Sequence, residues 1–129
     1  MSLYMNYQGS MADLEELKRE RRIYVHEKLS NAVQKLATGT GRIEERLFDA
    51  AVAFITLPPR DFPNHLKGDF EKLRRRLTSV KALGADKAQR AESDLIATLS
   101  QMSDDDAVGL AGAIVRLEGQ MRDIIASEN

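Results

Sequence analysis

The chain has 129 residues, a formal net charge of −1 and no cysteine, which excludes disulfides, thiolate metal sites and cysteine nucleophiles. Hydrophobic residues make up 43% and charged residues 30%, a balance that is typical of a folded globular protein and argues against disorder. Aromatic residues reach only 5%, so we expect a core built mainly from aliphatic side chains.

Residues 1–10 differ in character from the rest of the chain, and we expect them to be disordered or a remnant of cloning. We expect residues 11–129 to form a single helical domain. No apolar run approaches the roughly 18 residues that a membrane span needs. Since no secretory signal pattern is visible either, we expect a cytoplasmic protein with no membrane partner.

The first predicted helix covers residues 11–37, where apolar residues recur at helical spacing. Gly39, Thr40 and Gly41 then predict a turn, because each glycine costs about 1 kcal/mol inside a helix. Thr40 is expected to cap the next helix. A single helix continuing through Leu57 is the alternative. The apolar stripe of the first helix comprises Leu14, Leu17, Tyr24, Val25, Leu29, Ala32, Val33 and Leu36.

The second predicted helix covers residues 41–57 and is apolar on most of its sides. Such a helix is typical of the centre of a protein, so we expect it to be the most buried element or to be shared with a second copy. All three prolines of the chain, Pro58, Pro59 and Pro63, follow at once and predict a break. Asp61 is expected to cap the helix after this break.

The third predicted helix covers residues 62–83 and ends at Gly84. The fourth is expected to begin at Asp86 and the fifth at Ser103, each a favourable N-cap. Short links between these three helices predict adjacent antiparallel packing. Apolar residues three and four apart form their seams: Leu66, Phe70, Leu73, Leu77 and Val80; Ala88, Ala91 or Glu92, Leu95, Leu99 and Met102; and Ala107, Leu110, Ile114, Leu117, Met121 and Ile124.

No alternating pattern typical of a strand is present in the chain. The sequence therefore predicts an all-α fold, an antiparallel bundle of four to five helices. The regular seams and the apolar second helix offer more apolar surface than one small bundle hides. We therefore expect a homodimer that buries part of the first and second helices.

Charge is unevenly distributed along the chain. Residues 58–83 carry seven basic and three acidic side chains, whereas residues 84–129 carry four basic and nine acidic ones. Guanidinium groups suit phosphate and carboxylate partners, so the basic segment predicts an anion-binding or partner-binding surface. A solvated helix face is the alternative. The candidate residues are Arg60, Lys67, Lys72, Arg74, Arg75 and Arg76.

Nucleic-acid binding through this basic helix is possible but not favoured, because the net charge is negative and no aromatic platform is present. A helix-turn-helix using the fifth helix is disfavoured too, since the acidic residues 104–106 would repel phosphates. Asp61, His65 and Asp69 are spaced by four and suggest at most a weak metal site. A metal-dependent enzyme is therefore the least favoured interpretation, and we expect no catalytic residue, metal or cofactor.

The sequence carries no motif of a specific chemistry. The leading hypothesis is a non-enzymatic interaction, scaffold or small regulatory protein that presents helix faces to a protein partner. Nucleic-acid or polyanion binding is the alternative.

Overall fold

The computed structural model describes residues 10–84 and 86–128. Within these ranges it contains no strand, so the all-α prediction is confirmed. Two three-residue 3-10 turns, Pro59–Asp61 and Lys87–Gln89, precede the third and fourth helices. The α-helices of the described residues are α1 (Met11–Thr38), α2 (Ile43–Val52), α3 (Asn64–Leu77), α4 (Arg90–Ser100) and α5 (Asp104–Ser127).

Helix α1 begins with a capping box. The Ser10 side chain accepts a hydrogen bond from the Asp13 amide at 3.2 Å, and the Asp13 carboxylate accepts one from the Ser10 amide at 3.3 Å. Ser10 is therefore part of the fold, whereas residues 1–9, for which disorder or a cloning remnant is expected, lie outside the described residues.

The predicted turn between the first two helices is confirmed, and the alternative of one continuous helix is wrong. Gly41 has φ of +94°, a conformation that side chains other than glycine rarely adopt. The predicted cap is wrong, because Arg42 and not Thr40 occupies the N-cap of α2, without a capping side-chain bond.

Helix α2 ends at Val52, and residues 53–56 form a turn that leads into the proline-rich break. Beyond the break, the Phe62 ring stacks on that of Phe70 with centroids 4.1 Å apart. Pro63 is the N-cap of α3, so the prediction that Asp61 caps this helix is wrong. The Asp61 carboxylate instead accepts a hydrogen bond of 3.4 Å from Arg21 of α1.

Helix α3 ends at Leu77, six residues before the predicted end at Leu83, because the following segment is bonded to α4. The amide of Val80 donates to the Thr98 hydroxyl at 2.9 Å. The carboxyl ends of α3 and α4 therefore lie together, which contradicts the predicted antiparallel packing of these two neighbours. Gly84 has a positive φ of 76° but lies in the connection, so the prediction that it ends this helix is wrong.

Helices α1 and α5 run antiparallel. His26 lies beside Glu118, and Arg22, one turn earlier in α1, pairs with Glu128 at the end of α5. Helix α2 packs against α1, α4 and α5, as its apolar character predicts, and α3 packs against α4 and α5. No described helix combines the length and apolar character that spanning a membrane would require.

All five helices contribute side chains to one buried apolar cluster. The seams of α3 and α5 are buried as predicted, apart from the half-buried Val80 and Ile124, whereas Ala88 of the predicted fourth seam is exposed. Three phenylalanines join the expected aliphatic side chains. The largest fully buried residues are Phe54, Phe70, Leu29, Leu47, Leu66, Leu77, Leu95, Leu110, Ile114, Met121 and Val25.

The amino-terminal half of the predicted α1 stripe is not buried. Leu14 is 42% exposed, Leu17 36% and Tyr24 50%. Leu14 and Leu17 precede Arg22, which pairs with Glu128 just after the end of α5, so they lie beyond the described part of that helix. Tyr24 follows Arg22, and the Lys28 ammonium group lies 5.2 Å from the centroid of its ring.

Candidate functional site

A groove of about 580 Å³ lies between α3 and α5. Its apolar floor is formed by Leu73 of α3 and by Leu110, Ala113 and Leu117 of α5. The two helices are antiparallel, because the end of α3 lies beside the start of α5. The three floor residues of α5 stand at positions i, i+3 and i+7 and so share one face of the helix. The face of α5 that packs in the core therefore also borders the groove.

Three cationic side chains reach this groove from two different helices. Lys72 and Arg76 are one turn apart on α3 and so share a face, and Arg116 comes from α5. All three are exposed. Within residues 10–84 and 86–128, none of them has a hydrogen bond or an ion pair. The groove thus presents positive charge that the described part of the chain leaves unneutralised.

Two acidic side chains also line the groove, Asp69 of α3 and Asp123 of α5. Asp69 lies one turn before Lys72, and Asp123 lies near the end of α5, so both belong to the same end of the groove. The groove therefore has a cationic middle and one acidic end.

A second depression of about 690 Å³ continues the groove towards the start of α5. It shares Arg76 and Leu110 with the first and adds Met102 as an apolar wall. Along α5, the lining residues extend from Asp106 to Asp123. At a rise of 1.5 Å per residue this stretch is about 25 Å long. The depression is lined by Arg75, Arg76, Ser79, Lys81, Met102, Asp106 and Leu110.

The structure brings together only part of the predicted basic surface. Lys72, Arg75 and Arg76 lie along the α3–α5 groove or its continuation. Consecutive helical residues diverge by about 100°, so Lys67 and Arg74, seven residues apart, lie on the opposite flank of α3. The six predicted residues therefore do not form one continuous patch.

Arg74 is engaged within the fold. Its guanidinium lies 5.3 Å from the centroid of the Phe70 ring, a cation–π arrangement, and donates to the Leu57 carbonyl at 3.4 Å. Arg60 is exposed in the 3-10 turn and lines a separate depression with Arg21 and Asp61. Neither Arg74 nor Arg60 therefore lines the groove.

Arg116 is the groove residue that sequence reasoning missed. It lies in a segment with an acidic excess, and its distance of 40 residues from Arg76 gives no sign that the two meet. One feature of the sequence does indicate where Arg116 lies. It follows Ala113 by three residues, so the two side chains share a flank of α5. That signal has meaning only once α3 is known to pack on this side of α5.

The histidines do not form the suggested metal site. His65 is exposed on α3, and Asp61 precedes that helix and pairs with Arg21, so the spacing of four does not place them on one face. Across residues 10–84 and 86–128, no three His, Asp or Glu side chains cluster closely enough to hold a metal ion. His26 instead contacts Glu118 across the α1–α5 interface.

Comparison of this chain with protein-family models, with curated proteins and with solved structures found no match. The geometry and charge of the α3–α5 groove are therefore the basis for a functional hypothesis.

Proposed function

We propose that this chain is a non-enzymatic interaction protein that binds a protein partner in the α3–α5 groove. The observation that supports it is the convergence of Lys72, Arg76 and Arg116 on an apolar floor without partners among the described residues. Interfaces join an apolar centre to a polar rim that pairs across the contact. Arginine is also one of the residue types enriched in such contacts.

A protein partner suits this groove better than a nucleic acid does. A nucleic-acid backbone carries closely spaced phosphates, which are attracted by an extended basic surface. Here Asp69 and Asp123 stand beside the cations, and three of the predicted basic residues, Arg60, Lys67 and Arg74, lie away from the groove. Polyanion binding through α3 is therefore the weaker hypothesis.

The proposal includes a homodimer in which each copy is a helical bundle. Its support is the exposed apolar surface of the first two helices, namely Leu14, Leu17 and Tyr24 of α1 and Val52 of α2. Burying such side chains contributes about 25 cal/mol for each Å² removed from water. Measurement of the molecular mass by light scattering tests the dimer. A monomer at high concentration would overturn the dimer but not the proposed binding of a partner in the groove. A chain without cysteine suits a reducing cytoplasm, where we propose that it acts.

Affinity capture from cells that naturally make the protein tests the groove. The bait is the whole chain, either unaltered or with Lys72→Glu and Arg116→Glu. The matched control reverses two other exposed charges, Arg60→Glu and Lys87→Glu, which lie outside the groove. We expect a partner that the unaltered chain and the control retain and that the groove variant loses. Equal retention by all three baits would contradict the proposed function.

Salt dependence adds a second readout to the same experiment. Exposed ion pairs are screened over a Debye length of about 8 Å at physiological ionic strength and about 3 Å at 1 M. We therefore expect the captured partner to elute progressively as salt rises. Retention that does not change with salt would indicate that the groove cations play no part.

A further inference from the structure

We propose that the partner segment is an acidic amphipathic α-helix that lies lengthwise in the α3–α5 groove, with its amino terminus at the Asp69–Asp123 end. This inference rests on the proposed function and adds the chemical class and the direction of the ligand.

The shape of the groove favours a helix. The floor of the groove is apolar, with Ala113 half-buried and with Leu73, Leu110 and Leu117 at most 5% exposed. The lining extends for about 25 Å along α5, the length of roughly 17 helical residues. Ala113 is the smallest side chain of the floor, so a backbone can approach α5 closely here. An amphipathic helix docks in such a groove through residues at i, i+3 or i+4, and i+7.

The charges favour an acidic ligand. Lys72 and Arg76 stand one turn apart on the α3 wall, and Arg116 stands on the α5 wall. A helix lying between these walls would therefore present carboxylates on both edges of its apolar stripe. Two of them, spaced by four, would face Lys72 and Arg76, and a third on the other edge would face Arg116. Charge-assisted hydrogen bonds of this kind are stronger than neutral ones.

The two ends of the groove differ in charge, and this difference sets the direction. Asp69 and Asp123 line one end, whereas Asp106 at the other end stands beside Arg75 and Lys81. Asp69 and Asp123 would repel a carboxylate and attract positive charge. The amino terminus of a helix carries a partial positive charge from its unpaired amides. A partner helix that begins at this end therefore places its dipole favourably, and it runs antiparallel to α5. A lysine or arginine in its first turn would reinforce this direction.

Nuclear magnetic resonance of the isotopically labelled full chain tests the inference. The probe is a synthetic 18-residue peptide with a leucine and alanine stripe, glutamates on both edges and one lysine in the first turn. A second peptide has the same composition with the leucines distributed around the helix. A third replaces every glutamate by lysine, and a 15-nucleotide single-stranded DNA represents polyanions.

We expect the first peptide to shift the amide resonances of residues 72–76 and 113–117. Its affinity should fall about tenfold or more with Lys72→Glu plus Arg116→Glu, because attraction becomes repulsion at two positions. The control, Arg60→Glu plus Lys87→Glu, should bind as the unaltered chain does. A spin label at the peptide's amino terminus should broaden the signals of residues near Asp123 and not those near Asp106.

The other outcomes overturn specific parts of the inference. Equal binding of the lysine peptide in the groove would overturn the acidic class but leave the groove as a binding site. Equal binding of the peptide with dispersed leucines would overturn the inference that the ligand is an amphipathic helix. Broadening near Asp106 would overturn the direction. Groove shifts caused by DNA but not by the first peptide would support polyanion binding instead. No shift with any probe would overturn the inference, while the capture experiment decides the proposed function separately.

Discussion

The backbone amide of Ala82 donates a hydrogen bond of 2.8 Å to the Asp94 carboxylate, which is buried in α4 with only 3% of the residue exposed. The other oxygen of this carboxylate lies 3.5 Å from the ammonium group of Lys81. One turn later, Thr98 accepts from the amide of Val80. Asp94 and Thr98 thus hold the connection after α3 against α4.

Replacing Asp94 by alanine should destabilise the fold by about 1–3 kcal/mol. The amide of Ala82 would lose its acceptor while remaining half-buried, and an unsatisfied polar group costs about this much. Urea unfolding followed by circular dichroism measures the change. Glu92→Ala is the control, since Glu92 is exposed on the same helix and should change stability by less than about 0.5 kcal/mol. Equal effects would show that the bond to Ala82 contributes nothing.

The two histidines should behave differently when replaced by alanine. Nε2 of His26 lies 2.8 Å from Oε2 of the buried Glu118, whose other oxygen accepts from Arg122 at 3.2 Å. His26→Ala removes one partner of this carboxylate and should cost about 1–3 kcal/mol. His65 is exposed, so His65→Ala should cost less than about 0.5 kcal/mol. Thermal and urea unfolding of both variants give the comparison, and a larger loss from His65→Ala would contradict the assigned roles.

Two glycine-to-alanine substitutions should change the free energy of unfolding in opposite directions. Gly41 has φ of +94°, and a Cβ atom there would clash with the Glu45 carboxylate, so Gly41→Ala should destabilise by about 1–2 kcal/mol. Gly68 lies inside α3, and a Cβ atom there would have no neighbour within 4 Å. Gly68→Ala should stabilise by about 0.5–1 kcal/mol, because alanine is the better helix former. Midpoints of urea unfolding compare the two. A stabilising shift from Gly41→Ala would show that the turn there is unstrained, and a destabilising shift from Gly68→Ala would contradict the prediction for α3.

The ion pair between Arg22 and Glu128 should make stability depend on pH. Arg22 donates hydrogen bonds of 2.8 and 3.0 Å to both oxygens of Glu128, and these bonds hold the pKa of that carboxyl below its ordinary value. A carboxyl whose pKa is lower in the folded state stabilises the fold above its unfolded pKa. This contribution is lost as the pH falls through the folded pKa, since the carboxylate is then protonated in both states.

Glu128→Gln should therefore lower the free energy of unfolding at neutral pH. The difference from the unaltered chain should be complete above the pKa that a glutamate has in the unfolded chain. It should shrink as the pH falls through the lower pKa of Glu128 in the folded state. Urea unfolding at a series of pH values measures it. Glu27→Gln provides the control, because Glu27 is exposed on α1. A difference that grows as the pH falls would contradict a lowered pKa of Glu128 in the folded state.

The sequence predicted the elements of the fold better than it predicted their ends. Ser103 caps α5 as expected, its side chain accepting from the Asp106 amide at 3.1 Å, because a capping bond spans only three residues. The predicted end of α3 at Leu83 was wrong. The backbone amides after Leu77 donate hydrogen bonds to Asp94 and Thr98, which lie more than ten residues further along the chain. Helical spacing in residues 78–83 was real but was outweighed by these contacts.

The candidate site was predicted only in part. Lys72, Arg75 and Arg76 lie along the groove or its continuation, as a basic helix face suggested. Arg74 was assigned to the same surface but packs over Phe70, which it can reach because the two are one turn apart. The contribution of Arg116 depends on which flank of α5 faces α3, and no local pattern encodes that choice.

Local chemistry along the chain was sufficient to determine an all-α fold. Apolar residues spaced three and four apart lie on one common face only if the backbone is helical. The prolines and Gly41 prevent the backbone from continuing as a helix. Only the tertiary structure decided which helix faces meet. The groove joins Lys72 and Arg76 to Arg116 because α5 runs back along α3, and side chains that are distant in sequence can combine their charges only after the core has fixed that packing.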